Sequence, residues 1–439
     1  MSIVLLVTFV LLLVLHVPVV YCMLLSSVAA LLYEGATSLH MVGAEMSRAM
    51  FGFYPFLAVP FFILAGDVMN RGGLSRKITD LANSVVGPLP GGLAMVTTSS
   101  AQMFGAISGA SSATCVAVGK IMIPAMEEQK YPREFATALA ACSGITGALI
   151  PPSIVLLIYA TVSPVPVSVE KLFMGGVIPG ILLGVGLMIV SFFYARKQGI
   201  KTLPWVGPGS MLKAALGAVL PLMLVVIIFG GILGGVFNAT EASAVAVFYA
   251  LFVSVCVFRQ LRPRDLPGVF VNAGKTTAAL AFLISAAALF AKVLAIGYLP
   301  QQIAEGLLSG CEKAVGLIGG GELVNKVLVL LVLNVILLLV GMFVDEGPAL
   351  LIVVPVLAPV GQVIGIDPTH FGVMVVFNLT LGLVTPPVGT TLFVASSIGG
   401  VTISRMIPHV LRYLPVMIVV LLLITYVPWL STFLPSFIK

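Results

Sequence analysis

Long apolar runs, most of them closed by a polar or basic stretch, recur along the whole 439-residue chain. About 20 apolar residues of helix cross the hydrocarbon core of a bilayer. On that measure the pattern predicts spans near 2–16, 18–33, 53–70, 172–195, 211–229, 240–258, 276–296 and 406–434. Four other apolar stretches are interrupted. Residues 91–128 break within GAISGASSATCVAVG (Gly105 to Gly119), and 134–161 break at Pro151-Pro152. Residues 323–363 break at Asp345-Glu346-Gly347-Pro348, and 369–396 at Pro386-Pro387. Leu74 to Val86 is a polar amphipathic piece predicted to lie along the surface, and a second polar segment runs from Leu299 to Glu322.

Composition turns these runs into membrane helices. The chain is 60% hydrophobic and 9% charged, with a mean hydropathy of +1.18, far too apolar for a water-soluble fold. The expected fold is therefore all-α and polytopic. Ser2 to Leu15 has neither a basic start nor an A-x-A site, so it reads as a retained helix rather than a signal peptide. Five scattered cysteines suggest small core residues, and four isolated histidines lack ligand spacing; neither pattern predicts a disulfide framework or a transition-metal site. The net charge of +6 sits mostly in loops, so nucleic-acid binding is not implied.

Basic residues orient the spans. Arg71, Arg76, Lys77, Lys130, Arg133, Arg196, Lys197, Lys201, Lys213, Arg259, Arg262, Arg264, Lys275, Arg405 and Arg412 fall on one side. Arg48, Lys171, Lys313, Lys326 and Lys439 fall on the other, and Lys120 and Lys292 stay within spans. Taking the richer side as cytoplasmic places both termini outside and makes 91–128 and 323–363 re-entrant hairpins entering from opposite faces. The halves also align at an offset of about 235 residues, as in transporters built from repeats. Gly105 falls over Gly341, Pro124 over Pro359, Tyr131–Phe135 over Asp367–Phe371, Pro151-Pro152 over Pro386-Pro387, and Pro179 over Pro415. Opposite orientation makes this an inverted repeat, the arrangement behind alternating access.

Each half thus offers a hairpin tip and a broken helix. A Pro-Pro pair ends one helix and begins another. The carbonyls of Gly147, Ala148 and Leu149, and of Gly382, Leu383 and Val384, then lack intrahelical partners, and at bilayer depth they need protein, water or a cation. Sodium suits such neutral oxygens, joined by the hydroxyls of Ser108 and Ser111 or of Thr385 and Thr390. Helix N-termini near Ser112 and Pro348 suit an anionic solute, and no arginine lies in either hairpin or either break. The plainer reading is that small and hydroxyl residues serve close helix packing, and it has most force for Gly105–Gly119 taken alone. Asp345 is the stronger case, because a carboxylate inside a membrane is costly. Glu346 is left open as a residue facing water at the tip. Glu241, in Asn238-Ala239-Thr240-Glu241, reads as a helix cap ahead of an ion ligand. Lys292 is read as snorkelling outward, and Lys120 as a partner for a carboxylate.

Gly105–Gly119, Pro151-Pro152-Ser153, the run from Gly341 through Asp345 to Pro348 with Pro355 and Pro359, and NLTLGLVTPP from Asn378 to Pro387 together resemble the large membrane subunit of TRAP transporters, the DctM type. The resemblance covers nearly the whole chain. It implies an ion-transporter-superfamily fold with a scaffold and an elevator-type transport domain. Residues 1–90 would be scaffold helices and the surface arm of the first repeat, and 91–161 a transport hairpin and broken helix. Residues 162–322 would hold the last helix of that repeat, further scaffold helices and the second arm. Residues 323–398 would be the second hairpin and broken helix, and 399–439 the final helix. The implied function is sodium-driven import of an organic acid through a bacterial inner membrane, with a separate small four-helix membrane subunit, a periplasmic substrate-binding protein and no cofactor. By resemblance one sodium is assigned to Ser108, Gly109, Ser111, Gly147, Leu149 and Pro151, and another to Gly341, Asp345, Gly382, Thr385 and Pro386. The solute is assigned to Ser112, Ser143, Pro152, Ser153, Pro387, Gly389 and Thr390. Cys115 and Cys142 depart from the family pattern at apolar-or-small positions.

Other classes fit less well. A stand-alone sodium/anion symporter of the same superfamily is the nearest alternative. An ion channel usually places its filter between subunits, whereas one chain here carries both hairpins. An intramembrane enzyme needs Ser/His, His/Asp or paired carboxylates at depth, and no histidine stands near Ser111 or Asp345 in the pattern. The organic acid stays open among a C4-dicarboxylate, a sialic acid, another sugar acid and a sulfonate.

Overall fold

The computed structural model describes residues 1–35, 39–51, 54–200, 207–319 and 321–438, and every regular element among them is helical. Lys201 and Lys439, two of the cations used for orientation, lie outside the described residues. The first half comprises α1 (Ser2–Val14), α2 (Val19–Tyr33), α3 (Leu39–Phe51), α4 (Ala58–Arg71), α5 (Leu74–Val86), α6 (Gly92–Ser108), α7 (Ser111–Glu128), α8 (Arg133–Gly144), α9 (Ile154–Val162) and α10 (Val169–Gln198). The second comprises α11 (Gly207–Leu233), α12 (Ala239–Phe252), α13 (Leu266–Ile296), α14 (Leu299–Ile318), α15 (Glu322–Phe343), α16 (Glu346–Val363), α17 (Pro368–Gly382), α18 (Thr390–Gly399), α19 (Ile403–Tyr426) and the short α20 (Trp429–Thr432). Seven helical stretches among the described residues are long and apolar enough to cross a membrane.

Local chemistry sets these boundaries. α5 coincides with the amphipathic piece read from the pattern: Leu74, Ile78 and Ala82 are buried at four-residue spacing while Arg76 and Asp80 stay exposed. α12 opens on a full capping box. The Asn238 side chain accepts from the Glu241 amide at 2.9 Å, and the Glu241 carboxylate accepts from the Asn238 amide at 2.9 Å. Glu241 is therefore a cap, as its position implied. Asn238→Ala is expected to cost about 1 kcal/mol, read as a small fall in melting temperature of the purified protein with transport per folded molecule unchanged.

Two differences from the pattern stand out. α3 was not expected: with Glu45 and Arg48 it is too polar for a span, yet Met41, Val42 and Met46 pack its other face onto the core. α13 begins ten residues before the predicted span, because its first turns carry Asn272, Lys275 and Thr276. Lys292, read as snorkelling outward, is half exposed and lies 3.9 Å from Glu45 of α3. Lys120 is exposed and forms no ion pair among the described residues, against the carboxylate partner expected for it.

By their contacts the helices fall into a frame and an inner unit, joined where α5 packs on α6 and α14 on α16. In the frame, α1 packs on α2, α2 and α3 on α13, α4 on α12 and α13, and α5 on α11. In the inner unit α6 and α7 form a helical hairpin with α8 laid against both, and α15 and α16 form another with α17 laid against both. The two sets interlock: α9 packs on α16 and α17 from the opposite half, and α18 packs on α7 and α8. Hairpin, broken helix and a long helix with an internal proline (Pro179 in α10, Pro415 in α19) therefore occur twice in the same order.

Candidate functional site

The first tip is a two-residue turn. Gly109 takes a left-handed conformation (φ +64°), Ala110 is extended, and Ser111 starts α7. A hydroxyl chain runs through it: Thr114 donates to the Ala110 carbonyl at 2.9 Å, leaving its oxygen to accept from Ser108 at 2.8 Å. The tip is tied to the first break, since the Gly109 carbonyl accepts from the Ile154 amide at 3.1 Å. Behind it, the hairpin touches the break backbone to backbone. A Cβ added to Gly105 would lie 2.6 Å from the Gly147 Cα, and one added to Gly147 would lie 2.9 Å from the Ala110 carbonyl oxygen.

The second tip repeats this contact with different side chains. A Cβ on Gly382 would lie 2.6 Å from the Gly341 Cα, so each hairpin rests on its own broken helix glycine to glycine. The Met342 carbonyl accepts from the Gly389 amide at 3.0 Å, and the Leu383 carbonyl from the Thr391 amide at 3.2 Å. Asp345 occupies the N-cap position of α16 but does not cap it. Its carboxylate reaches across the break to accept from Thr390 at 2.9 Å. The Thr391 hydroxyl is buried with no hydrogen-bond partner among the described residues. The oxygens gathered at both breaks are largely neutral hydroxyls and carbonyls, a donor set that suits sodium, but the Ala148, Gly382 and Leu383 carbonyls, expected to lack partners, accept from Ser153, Thr385 and Thr391.

The two tips meet. Ser111 donates to the Glu346 carboxylate at 2.9 Å, 235 residues away. Glu346 is only 9% exposed, so the reading that left it facing bulk water is corrected. Ser108, Ala110, Ser112, Asp345, Glu346 and Pro348 together line a cavity of about 350 Å³. The opposite wall belongs to the frame: Asp67 and Asn70 of α4, and Asn272 and Thr276 of α13. Asn272 donates to Asp67 at 3.3 Å, while Arg71 holds the other Asp67 oxygen at 3.1 Å. No lysine or arginine is among the described residues lining the cavity.

The remaining candidates sit elsewhere. Ser143 is fully buried beside Thr98, hydroxyl to hydroxyl at 3.1 Å, and does not line the cavity. Ser153 caps α9, accepting from the Leu156 amide at 3.1 Å and donating to the Ala148 carbonyl. Thr385 donates to the Leu381 carbonyl at 2.9 Å. The Leu149 carbonyl lies against Gly176 of α10. Pro151-Pro152 and Pro386-Pro387 each contain a cis peptide bond at the break; Pro152 is buried and Pro387 exposed. Thr114 and Thr391, and the wall residues Asp67, Asn70, Asn272 and Thr276, escaped the sequence reading as site residues. The signal for the wall was present: Asn272 and Thr276 are one turn apart at the start of an otherwise apolar helix.

The family model for the tripartite ATP-independent periplasmic transporter, DctM component, matches residues 6–430. The chain belongs to the DctM family. Among DctM relatives, it is 38% identical to the C4-dicarboxylate TRAP transporter large permease protein of Vibrio cholerae, over 96% of this chain and 94% of that one. It is 35% identical to the sialic acid TRAP transporter large permease protein of the same organism, over 95% of each. It is also 37% identical to the isethionate TRAP transporter permease protein DctMQ of Oleidesulfovibrio alaskensis, over 97% of this chain but 65% of that longer one. The fold is similar to that of the YdaH transporter of Alcanivorax borkumensis, with a TM-score of 0.62 at 16% identity and 90% of each chain covered. As a DctM permease the chain is a multi-pass membrane transport protein rather than an enzyme.

Proposed function

We propose that this chain is the large permease subunit of a sodium-coupled, binding-protein-dependent importer of an organic acid. The observation that carries the reading is the meeting of both hairpin tips over one cavity, each backed by a broken helix rich in neutral oxygens. The cavity presents Asp345 and Glu346, with Asp67 paired to Arg71, and no lysine or arginine among its described lining residues. An anion entering such a site needs accompanying cations, which supports sodium at the tips. In this reading the hairpins, the breaks, α10 and α19 move together as an elevator against α4 and α13. The halves are an inverted repeat, and both termini are periplasmic in a bacterial inner membrane. A small membrane subunit on a separate chain and a periplasmic binding protein complete the system, although the isethionate relative extends well beyond the matched region. The names of the relatives support carboxylates, with C4-dicarboxylates and sialic acids foremost and sulfonates next.

The test is uptake into proteoliposomes holding this chain and the small subunit, with purified binding protein outside. Uptake is expected to require both an inward sodium gradient and the binding protein; uptake indifferent to collapse of the sodium gradient overturns the reading. Ser111→Ala is expected to raise the sodium concentration that gives half-maximal uptake. An unchanged sodium requirement would assign Ser111 to packing alone.

A further inference from the structure

The bond between the two tips has a use that the assignment of separate ion sites leaves out. A serine hydroxyl has one hydrogen and two lone pairs. Ser111 is fully buried, and its single hydrogen is committed to Glu346 at 2.9 Å. Both lone pairs are thereby turned away from Glu346 and left free to accept. At the second tip the neighbouring carboxylate, Asp345, is engaged elsewhere, by Thr390. The adjacent acids therefore face different partners: Asp345 serves its own half, and Glu346 reaches across to the other.

We infer that Glu346 is a positioning residue for the cation at the first tip, fixing the Ser111 hydroxyl so that its oxygen faces the ion and adding negative charge behind it. Outer groups that orient a metal's direct ligands commonly change affinity 10- to 100-fold when removed. The arrangement also couples the two halves. A first-tip cation strengthens the bond by polarising the hydroxyl, and a displaced second tip breaks it, so first-tip ion binding and the placement of the second tip favour each other. This inference rests on the sodium-coupled reading above.

The experiment compares wild type, Glu346→Gln, Ser111→Ala and the double variant. Gln keeps the shape and an oxygen that accepts from Ser111 but removes the charge, so it preserves the fold. Two readouts are taken: the sodium concentration for half-maximal uptake in proteoliposomes, and the rise in melting temperature that sodium alone gives the purified protein. Glu346→Gln is expected to raise the half-maximal sodium concentration about tenfold and to shrink the sodium-dependent rise, with little change in melting temperature without sodium. Ser111→Ala is expected to do the same, and the double variant to be no worse than the more affected single one, because the Glu346 charge acts on the ion through the Ser111 oxygen. Glu346→Asp, with its shorter reach, is expected not to rescue. A wild-type sodium response left intact in Glu346→Gln, or effects of the two changes that simply add, overturns the inference while leaving sodium coupling in place. A wild type that responds to sodium in neither readout overturns both.

Discussion

Asp345→Ala is expected to reduce uptake to the level of liposomes without protein, while the purified variant stays folded and monodisperse. Asp345 is exposed on the cavity, so it does not bear the cost of a carboxylate buried in the membrane that the pattern suggested for it. It does not cap its helix, although the N-cap position would allow it. It spends its oxygen on Thr390, across the break, and lines the cavity. Structure alone would therefore be little harmed by its loss. Asp345→Asn separates charge from hydrogen bonding, since an amide oxygen still accepts from Thr390. If both variants are inactive, the charge is required; normal sodium-dependent uptake by either removes the carboxylate from the ion site.

The second large effect belongs to the glycines. Gly105→Ala would place its Cβ 2.6 Å from the Gly147 Cα, and Gly341→Ala would place one 2.6 Å from the Leu379 carbonyl oxygen and 3.0 Å from its Cα. Both clashes are with backbone, which cannot swing aside as a side chain does. Each variant is expected to lose about 1–3 kcal/mol or more, seen as a lower melting temperature and loss of transport together. Gly306→Ala in α14, where nothing lies within 4 Å, is the control and should melt no lower than wild type. Unaltered melting in Gly105→Ala would show that hairpin and break are not in rigid contact.

These two outcomes also mark what the sequence makes legible. Breaks are loud: Pro151-Pro152, Pro386-Pro387 and the acidic run at Asp345 interrupt apolar stretches and so announce both tips and both broken helices. The pairing of Gly105 with Gly341 and of Pro151-Pro152 with Pro386-Pro387 across the halves is visible as an offset. That each hairpin glycine rests on its own break glycine was not, because contact between distant segments leaves no periodicity. Glu346 shows the same limit. Beside Asp345 it reads as a spare acid at a water-facing tip, whereas in the fold it is buried and bonded to Ser111 from the other half. The far wall was hidden for another reason. Asn272 and Lys275 make the first turns of α13 polar, so the helix start before Thr276 reads as a loop.

The crosswise packing of α9 on α16 and α17, and of α18 on α7 and α8, bears on how the protein is made. The chain leaves the ribosome at about 5–20 residues per second. The Pro151-Pro152 break and α9 therefore wait for well over a hundred residues before α16 arrives to cover them. Until then the broken helix has incomplete partners, in a setting where uncovered backbone polar groups are costly. The inner unit cannot mature half by half; its long-range contacts close only once most of the chain has been inserted. A nascent chain stalled before the second hairpin would present the membrane quality-control machinery with an open break rather than with half a transporter.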